Sequence, residues 1–277
     1  SFPIAQTALA GLALLAGQST PSDGPHSFHI RKAIDFLLKT EEVTHQGDLA
    51  SRDPRPMFGH GFAILFLSQA YGMTREPKLQ ERMRETIEHA LRRLENLQMD
   101  CGSWGYQYSK QFSNDQKGRN FDEVTVTVVQ VQALRAARDA GFQVSQSTIQ
   151  KAIDYVQGAQ LPTGGIRYTT NPSIVTRNAD NSIALNASAF GILHSLGTYG
   201  GERHDLLEST LRTQLTEKQW NLNAIFEPTS RSHSHHFTML YLTQALYQLG
   251  EPYWNLYFPR LIEHVKVLQA PDGRLNS

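Results

Sequence analysis

Two acidic segments of the sequence contain residue types that can transfer a proton. Asn120-Phe-Asp-Glu123 ends in two adjacent carboxyl groups, and Asn178-Ala-Asp-Asn181 keeps one. A carboxyl group that stays protonated beside supporting neighbours can serve as a general acid. Asp122, Glu123 and Asp180 are the carboxyl groups of these segments, and each lies at or just before the start of a predicted helix. Asp and Asn are also common helix N-caps, so a purely structural role for Asp122 and Asp180 is the alternative.

A cluster of histidines is the best candidate for a metal site. His233-Ser-His235-His236 could supply two ligands to zinc, with His60 or an aspartate as the third. The other interpretation is that these histidines form hydrogen bonds, and we favour it. The sequence therefore predicts no metal and no other cofactor, and it leaves His60, His235 and His236 as candidate ligand-binding residues.

The hydrophobic pattern predicts the elements that must position these residues. It indicates helices in five pairs, each made of one mostly apolar helix and one amphipathic helix. The run from Val124 to Val131 is rich in β-branched residues, which favour strands, but the helical pattern continues beyond it without a break. The ten predicted ranges are 7–16, 28–38, 60–71, 78–97, 122–140, 147–157, 182–196, 205–215, 236–249 and 258–268. Four of the apolar helices are predicted to stop at glycines, namely Gly72, Gly141, Gly197 and Gly250.

The alternation of the two helix types predicts an architecture. A helix that is apolar on all sides must be enclosed, as we expect of 7–16, whereas an amphipathic helix can face solvent. The sequence thus predicts an all-α fold, a double-layered α/α toroid with the apolar helices inside. Parallel inner helices would bring His60, Asp122 and His235 to one mouth of this barrel. An open superhelix is the alternative, and it would make both helices of each pair amphipathic.

A turn signature recurs between the helix pairs. Its full form is Gln-x-x-x-Gly-x-Trp, and two further copies keep the Gln and the Gly. The three copies are Gln98/Gly102/Trp104, Gln160/Gly164 and Gln269/Gly273. The spacing predicts two worn copies, one at Glu42 and one near Gln214 to Trp220. Repetition every roughly 50 to 60 residues indicates one continuous array of similar units.

This signature and the alternating helices resemble the prenyltransferase and squalene-cyclase repeat family over almost the whole chain. The resemblance implies one toroid domain over residues 1–277, with five helix pairs where full family toroids have six. Class II cyclases carry an Asp-x-Asp-Asp acid at the start of an inner helix. The matching stretch here runs from Asn120 to Glu123, and these two residues replace the first and last Asp. The resemblance thus implies Asp122 and Glu123, and Asp180 in the weaker second copy, as candidate catalytic residues. The resemblance therefore implies a protein that binds or processes an isoprenoid-like or other apolar molecule and does not cyclise squalene.

Aromatic residues on the predicted inner helices could line a ligand cavity. Such stripes usually pack in a core, but in a toroid the inner face borders a central cavity, where rings suit an apolar ligand. The candidate ligand-binding residues of this kind are Phe62, Phe66, Phe190, Phe237 and Tyr241. A non-catalytic scaffold that binds a protein or a glycan at the barrel rim is the alternative function. Polysaccharide chemistry is a third, on fold analogy alone.

The composition excludes several classes of function. Lys plus Arg and Asp plus Glu balance at 26 each, so no net field recruits nucleic acid. The longest small-apolar run, Ala8 to Gly17, is far shorter than the roughly 18 residues that indicate a membrane span, so we predict no transmembrane segment. Cys101 is the single cysteine, which excludes an intramolecular disulfide. The sequence leaves open the oligomeric state and whether the protein is cytoplasmic or exported with its leader removed.

Overall fold

The computed structural model of the chain is built almost wholly from α-helices. It describes residues 2–44, 46–113, 120–174, 180–197, 200–217 and 235–271. Within those ranges there are ten helices and no β-strand beyond two isolated bridges, which confirms the prediction of an all-α fold. None of the described helices combines the length and the apolar character needed to cross a membrane. The helices are α1 (Pro3–Ala16), α2 (Ser27–Thr44), α3 (Pro56–Tyr71), α4 (Pro77–Asn96), α5 (Val124–Asp139), α6 (Gln146–Gly158), α7 (Ile183–Ser195), α8 (Glu202–Glu217), α9 (His235–Leu249) and α10 (Tyr253–Leu268).

All ten predicted helices are present, and the largest differences are the later end of α2, at Thr44, and the earlier starts of α1, α3 and α10. α1 and α3 begin earlier than expected, at Pro3 and Pro56. Proline suits the first helical position because its missing N–H would have no partner there anyway. The valine-rich segment is helical and forms α5, since burial on nearly all sides and a capped N-terminus outweigh its strand propensity.

The chain divides into two compact units, Ser1–Tyr155 and Val156–Ser277. In the first unit the apolar helix α3 packs against both α1 and α5, and its amphipathic partner α4 packs against α2. In the second unit α7 packs against α9, and each of these packs against its own amphipathic partner, α8 or α10. Within each unit, therefore, the apolar helices of successive pairs lie side by side.

Burial follows the two helix types in the pairs α3–α4 and α7–α8. α3 and α7 are buried on nearly all sides, whereas α4 and α8 each bury a single stripe. α1 departs from this pattern, because it is almost wholly apolar but buries one stripe only, made of Ile4, Ala5, Ala8, Gly11 and Leu15. The prediction that this helix is buried on all sides is wrong. Burial depends on the neighbours that a helix has and not on its composition alone.

An aspartate far along the chain holds the start of α1. The carboxylate oxygens of Asp53 accept hydrogen bonds from the backbone N–H groups of Ile4 and Ala5, at 3.0 Å each. Asp53 is buried, and Gly59 makes room for it: a β-carbon at residue 59 would lie 2.3 Å from its Oδ2 atom. The first turn of α1 is therefore fixed by a residue outside the helix.

The full signature closes the turn after α4. The Gln98 side-chain amide donates to the backbone carbonyls of Gly102 and Thr148, at 2.9 Å each. Trp104 is 1% exposed, and its ring N–H donates to a backbone carbonyl of α4 at 2.9 Å. Gly102 has a left-handed backbone (φ 92°), and a β-carbon there would lie 2.2 Å from the Lys151 carbonyl oxygen. The signature thus joins α4, its own turn and α6.

The copy at Gln160 makes corresponding contacts in the second unit. Its amide donates to the carbonyls of Gly164 at 3.1 Å and Arg203 at 2.8 Å. Gln214 differs, because it lies inside α8 and its amide donates to the Asn181 carbonyl at 2.7 Å. Two predicted members of the signature, Trp220 and Gly273, lie outside the described residues.

The worn copy before α3 is shifted by one residue from its predicted place. Glu41 is the buried residue, and its carboxylate accepts from the Gly47 N–H at 3.3 Å and contacts the His89 ring at 2.9 Å. Glu42 instead pairs with Arg82 at the surface. A carboxylate can accept from the turn but cannot donate to carbonyls as the Gln98 amide does, so this copy keeps only part of the device.

Three of the four glycines predicted to end apolar helices have a left-handed backbone. Their φ angles are 94° at Gly141, 75° at Gly197 and 70° at Gly250. Gly72 differs, since it keeps a right-handed φ of −65° as the C-cap of α3. Gly72 therefore ends its helix without the left-handed turn that the other three provide.

We predict that Trp104→Ala destabilises the protein strongly. The change removes a buried ring and its hydrogen bond to α4, and we expect the free energy of unfolding to fall by about 3 to 5 kcal/mol. Urea unfolding followed by circular dichroism measures this loss. Trp254→Ala is the control, because that ring is only half-buried and should cost less. A loss below about 1 kcal/mol at Trp104 would show that the signature does not hold the fold.

Candidate functional site

The N-terminus of α5 carries two candidate catalytic residues, and the signature turn holds it in place. The Glu123 N–H donates to the Trp104 carbonyl, and the Trp104 N–H donates to the Thr127 hydroxyl, at 3.2 Å each. The Glu123 carboxylate caps the helix, accepting from the Val126 N–H at 2.6 Å and from the Thr125 hydroxyl at 2.5 Å. Glu123 is completely buried. Its side chain is therefore turned toward its own helix.

Asp122 lies beside a buried tyrosine of α6. The Tyr155 hydroxyl donates to Asp122 Oδ2 at 2.9 Å. Asp122 is 7% exposed and Tyr155 is 5% exposed. Burial raises the pKa of Tyr155 well above its usual value, and the nearby acidic groups of Asp122 and Glu123 raise it further. The phenol therefore keeps its proton and remains a donor to Asp122.

Burial raises the pKa of Glu123 to about 7, because the charged carboxylate loses its water. The hydrogen bonds from Thr125 and Val126 act in the opposite direction, as does the positive charge of Arg55. Glu123 thus carries a proton in part of the molecules at neutral pH, next to the second carboxyl group of Asp122. The buried carboxyl group of Glu123 can therefore take up or release a proton, which is the main chemical capacity of this site.

Asn120 stands where the resemblance would place the first Asp of the cyclase acid. It is 1% exposed. Its Oδ1 accepts from the Gln107 N–H at 3.0 Å, and its amide nitrogen donates to the carbonyls of Ser109 at 2.9 Å and Gln111 at 3.0 Å. A carboxylate has no hydrogen to donate, so aspartate would lose both bonds to the carbonyls. The amide of Asn120 is therefore needed to hold the loop that carries Ser109 and Gln111.

Asp180 shapes the loop before α7 in the second unit. It is exposed, and its Oδ1 accepts from the Tyr168 N–H at 2.7 Å. The N-cap of α7 is Ser182, whose hydroxyl accepts from the Leu185 N–H at 3.4 Å. The capping roles considered for Asp122 and Asp180 thus fall on the neighbouring residues Glu123 and Ser182.

His60 lies one turn inside α3 rather than at its start, and it is completely buried. Its Nε2 is 3.1 Å from the Ala90 carbonyl oxygen, and its Nδ1 is 3.2 Å from the Tyr108 hydroxyl. Because a carbonyl can only accept, Nε2 carries the hydrogen, and Nδ1 is left as an acceptor beside the Tyr108 hydroxyl, which also bonds to Asp48. Burial lowers the pKa of His60 to about 4, so the ring is neutral at pH 7. His60 therefore links α3 to α4 and to the loop that contains Tyr108.

The candidate aromatic residues pack between helices of their own units. Phe66 is fully buried against α1, where a β-carbon on Gly11 would lie 2.4 Å from its ring. Phe190 is 1% exposed, and its ring centroid lies 5.3 Å from that of His204 in α8. Phe62 and Tyr241 are also buried, and half-buried Phe237 lies 4.5 Å from the Tyr241 ring. Ligand binding by these rings stays a prediction.

The predicted histidine cluster lies partly outside the described residues. His235 and His236 form the start of α9, but their side chains are not described, and His233 lies outside the described residues. Among the side chains that are described, no group of three or more His, Cys, Asp or Glu is placed to hold a metal ion. Both ring nitrogens of His60 already have partners, namely the Ala90 carbonyl and the Tyr108 hydroxyl.

The structure brings in residues that the sequence reasoning missed. Tyr155 of α6 bonds to Asp122 at the start of α5. The positive charge of Arg55, the N-cap of α3, acts to lower the pKa of Glu123. A weak signal for Tyr155 exists, since its hydroxyl stands in the mostly aliphatic buried stripe of α6. A buried tyrosine usually needs a hydrogen-bond partner. Nothing in the sequence says that the partner is Asp122.

Comparison with known proteins adds no further information on this site. No protein-family model matches the chain, and no curated protein matches it. The chemistry must therefore be inferred from the geometry described above.

We predict that Glu123 and His60 give opposite pH dependences of stability. The folded pKa of Glu123 is raised from 4.5 to about 7. Its contribution to the free energy of unfolding is therefore full below pH 4.5 and is lost as the pH rises toward 7. The folded pKa of His60 is lowered from 6.5 to about 4, so its contribution is full above pH 6.5 and is lost as the pH falls toward 4. Between pH 4.5 and 6.5 the two effects offset each other.

Single variants should separate these effects. With Glu123→Gln the free energy of unfolding should rise by about 2 to 3 kcal/mol from pH 4.5 to 6.5, and with His60→Gln it should fall by a similar amount. Urea unfolding at half-unit pH steps measures both slopes. Asp35→Asn, at a half-buried surface position, serves as the control and should keep the wild-type profile. Parallel profiles for all four proteins would contradict these assignments.

Proposed function

We propose that the protein is a non-catalytic scaffold whose helix pairs are consecutive parts of a double-layered α/α toroid, similar to that of the prenyltransferase and squalene-cyclase repeat family. Two features support this architecture. Enclosed helices alternate with amphipathic ones, and the signature turn recurs at Gln98 and Gln160. Such a toroid would bind a protein or a glycan through its exposed loops and helix faces.

The scaffold proposal depends on one observation: the polar side chains at the start of α5 bond to the backbone of the protein itself. Asn120 engages both ends of its amide with the loop at residues 107–111, and Glu123 directs its carboxylate at its own helix. A general acid must come within hydrogen-bond distance of its substrate. Glu123 is completely buried and Asp122 is 7% exposed, which favours a structural role for both.

The packing of the aromatic residues also supports a scaffold. Phe66, Phe190 and Tyr241 are each at most 1% exposed, and the rings of Phe66 and Phe190 fill space between neighbouring helices. A ring in that position stabilises the fold through burial of its apolar area. Contact with an isoprenoid would require these helices to move apart.

One observation favours a second function, acid-catalysed conversion of an isoprenoid-like or other apolar molecule. It is the pKa of about 7 at Glu123, beside Asp122 and the Tyr155 hydroxyl. A carboxyl group that keeps its proton near neutral pH could protonate an alkene, and a carboxylate could later take a proton back. This function requires an opening of the α5 N-terminus to the substrate.

Product analysis distinguishes the two functions. We expect no conversion of squalene, oxidosqualene or geranylgeranyl diphosphate by the wild-type protein, because its carboxyl groups are covered. Asp122→Asn and Glu123→Gln should give the same chromatograms as the wild type. Asp100→Asn is the matched control, since Asp100 is exposed in the signature turn. A product that disappears in the first two variants and persists in the control would overturn the scaffold proposal.

A further inference from the structure

A small pocket in the second unit lies at the start of α8. Its volume is about 230 Å³, and the end of α6, the end of α7 and the first turns of α8 all contribute to its lining. Residues 200–204 form a polar wall that includes the first turn of α8. The opposite character comes from four aliphatic side chains, namely Val156, Ile166, Leu193 and Leu207. The pocket therefore offers an apolar space beside a helix N-terminus.

This helix N-terminus has no cap among the described residues. Gly201 precedes α8, and its carbonyl accepts from the Asp205 N–H at 3.0 Å, but it has no side chain that could accept from the first turn. The N–H groups of Glu202, Arg203 and His204 have no partner within the helix, because no helical carbonyl precedes them. No described residue accepts from them either. Such N–H groups, together with the helix dipole, favour a negatively charged group.

A buried histidine in the same turn is a second, separate sign of a ligand. The side chain of His204 is only 9% exposed, and it belongs to the lining of the pocket. Its Nδ1 lies 3.4 Å from Oδ1 of Asp205. Its Nε2 is buried and has no hydrogen-bond partner among the described residues. Because a buried polar atom without a partner is unfavourable, a group that bonds to Nε2 would stabilise this turn.

The corresponding place in the first unit shows which chemical group fills such a site. Ser145 precedes α6 as Gly201 precedes α8. The Ser145 hydroxyl accepts from the Thr148 N–H at 3.2 Å, and the Ser145 N–H donates to the Glu95 carboxylate at 2.8 Å. The start of α6 is therefore completed by a hydroxyl and a carboxylate that the chain itself supplies.

The second unit lacks this carboxylate. Glu95 stands three residues before the signature residue Gln98, and the residue three before Gln160 is the neutral Gln157. The side chain at this position is well placed to matter, because Gln157 lines the pocket. The two places are otherwise alike, since each signature glutamine donates to a carbonyl in the first turn of the following amphipathic helix.

We propose that the pocket binds a small carboxylic acid with an apolar body, whose carboxylate takes at the start of α8 the place that Glu95 takes at the start of α6. The carboxylate accepts from the N–H groups of the first turn, and from His204 Nε2 when that nitrogen carries a hydrogen. The apolar body lies against the aliphatic side chains of the lining. This binding concerns the second unit alone, and it does not depend on whether the protein is a scaffold or a catalyst.

The charges around the pocket suit a ligand with a single negative charge. Glu202 lines the pocket but is exposed, so water and salt screen its charge. Arg203 also lines the pocket and offsets that charge, and its guanidinium is held by the Gln157 carbonyl at 2.8 Å. Asp205 is 70% exposed and lies beside Nδ1 of the histidine. Repulsion from these two acidic residues grows with the charge of the ligand, which favours a carboxylate over a phosphate dianion.

Titration calorimetry with hexanoate tests the proposal. Acetate keeps the carboxylate but lacks the apolar tail, and hexanol keeps the tail but lacks the charge, so each should bind about tenfold or more weakly than hexanoate. NMR of protein with isotope-labelled glycine locates the site. The amide signals of Gly200 and Gly201 should shift when hexanoate is added. The signal of Gly141, in the loop before α6, should not shift, because Glu95 already fills that place.

Gln157→Glu gives the sharpest outcome, because it offers the second unit a carboxylate of its own at the position that corresponds to Glu95. It should weaken hexanoate binding by about tenfold or more, since the new side chain competes for the same N–H groups. His204→Phe keeps a ring but removes Nε2, and it should weaken binding by roughly threefold to tenfold. Gln146→Glu adds the same charge at an exposed position of α6 and is the matched control, with unchanged binding.

Unchanged circular dichroism and melting temperature show that the variants fold. The proposal is overturned if the wild-type protein does not bind hexanoate, or if wild type and Gln157→Glu bind it equally well. Shifts at Gly141 in place of Gly200 and Gly201 would also overturn it. None of these outcomes affects the result of the product analysis, which concerns the carboxyl groups at the start of α5.

Discussion

Buried turns between helix pairs must satisfy backbone groups that the helices leave unpaired, and this constraint governs the rest of the structure. At the turn after α4 the Gln98 amide donates to two carbonyls, one in its own turn and one at Thr148 in α6. The same turn sets Trp104 where its carbonyl receives the N–H of Glu123. The start of α5, and with it the carboxyl pair, is therefore placed by one side-chain amide and the turn that it closes.

The same constraint explains why polar residues occur on helices that are almost wholly buried. Gln130 of α5 donates to the Met57 carbonyl of α3 at 2.8 Å, and His60 of α3 reaches the Ala90 carbonyl of α4. Each of these side chains joins two helices because its buried N–H group donates to a backbone carbonyl of the neighbouring helix. Residue types that look catalytic in the sequence are thus used here to connect secondary structure.

The helices could be predicted from the sequence because their periodicity is a local property. Their starts at Pro3 and Pro56 also had a local signal, which a hydrophobic window does not detect. The shift from Glu42 to Glu41 could not be read from spacing, since the worn turn has a different length. The exposure of α1 could not be predicted either, because it depends on which helices lie beside it. The same holds for the candidate site. The carboxyl pair could be predicted because its two residues are adjacent in sequence. The contact of Tyr155 with Asp122 could not, because it depends on how α6 packs.

The attachment of α1 to Asp53 has a consequence for the order in which the chain folds. The first turn of this helix receives its hydrogen-bond acceptor from a residue 48 or 49 positions later. During synthesis the apolar segment therefore leaves the ribosome well before the carboxylate that completes it, and before α3 can cover its buried stripe. A nascent chain at that stage exposes a run of alanine and leucine that resembles a chaperone client more than a folded helix. The emergence of residues 53–71 would end that interval, because it delivers both the acceptor and the covering helix.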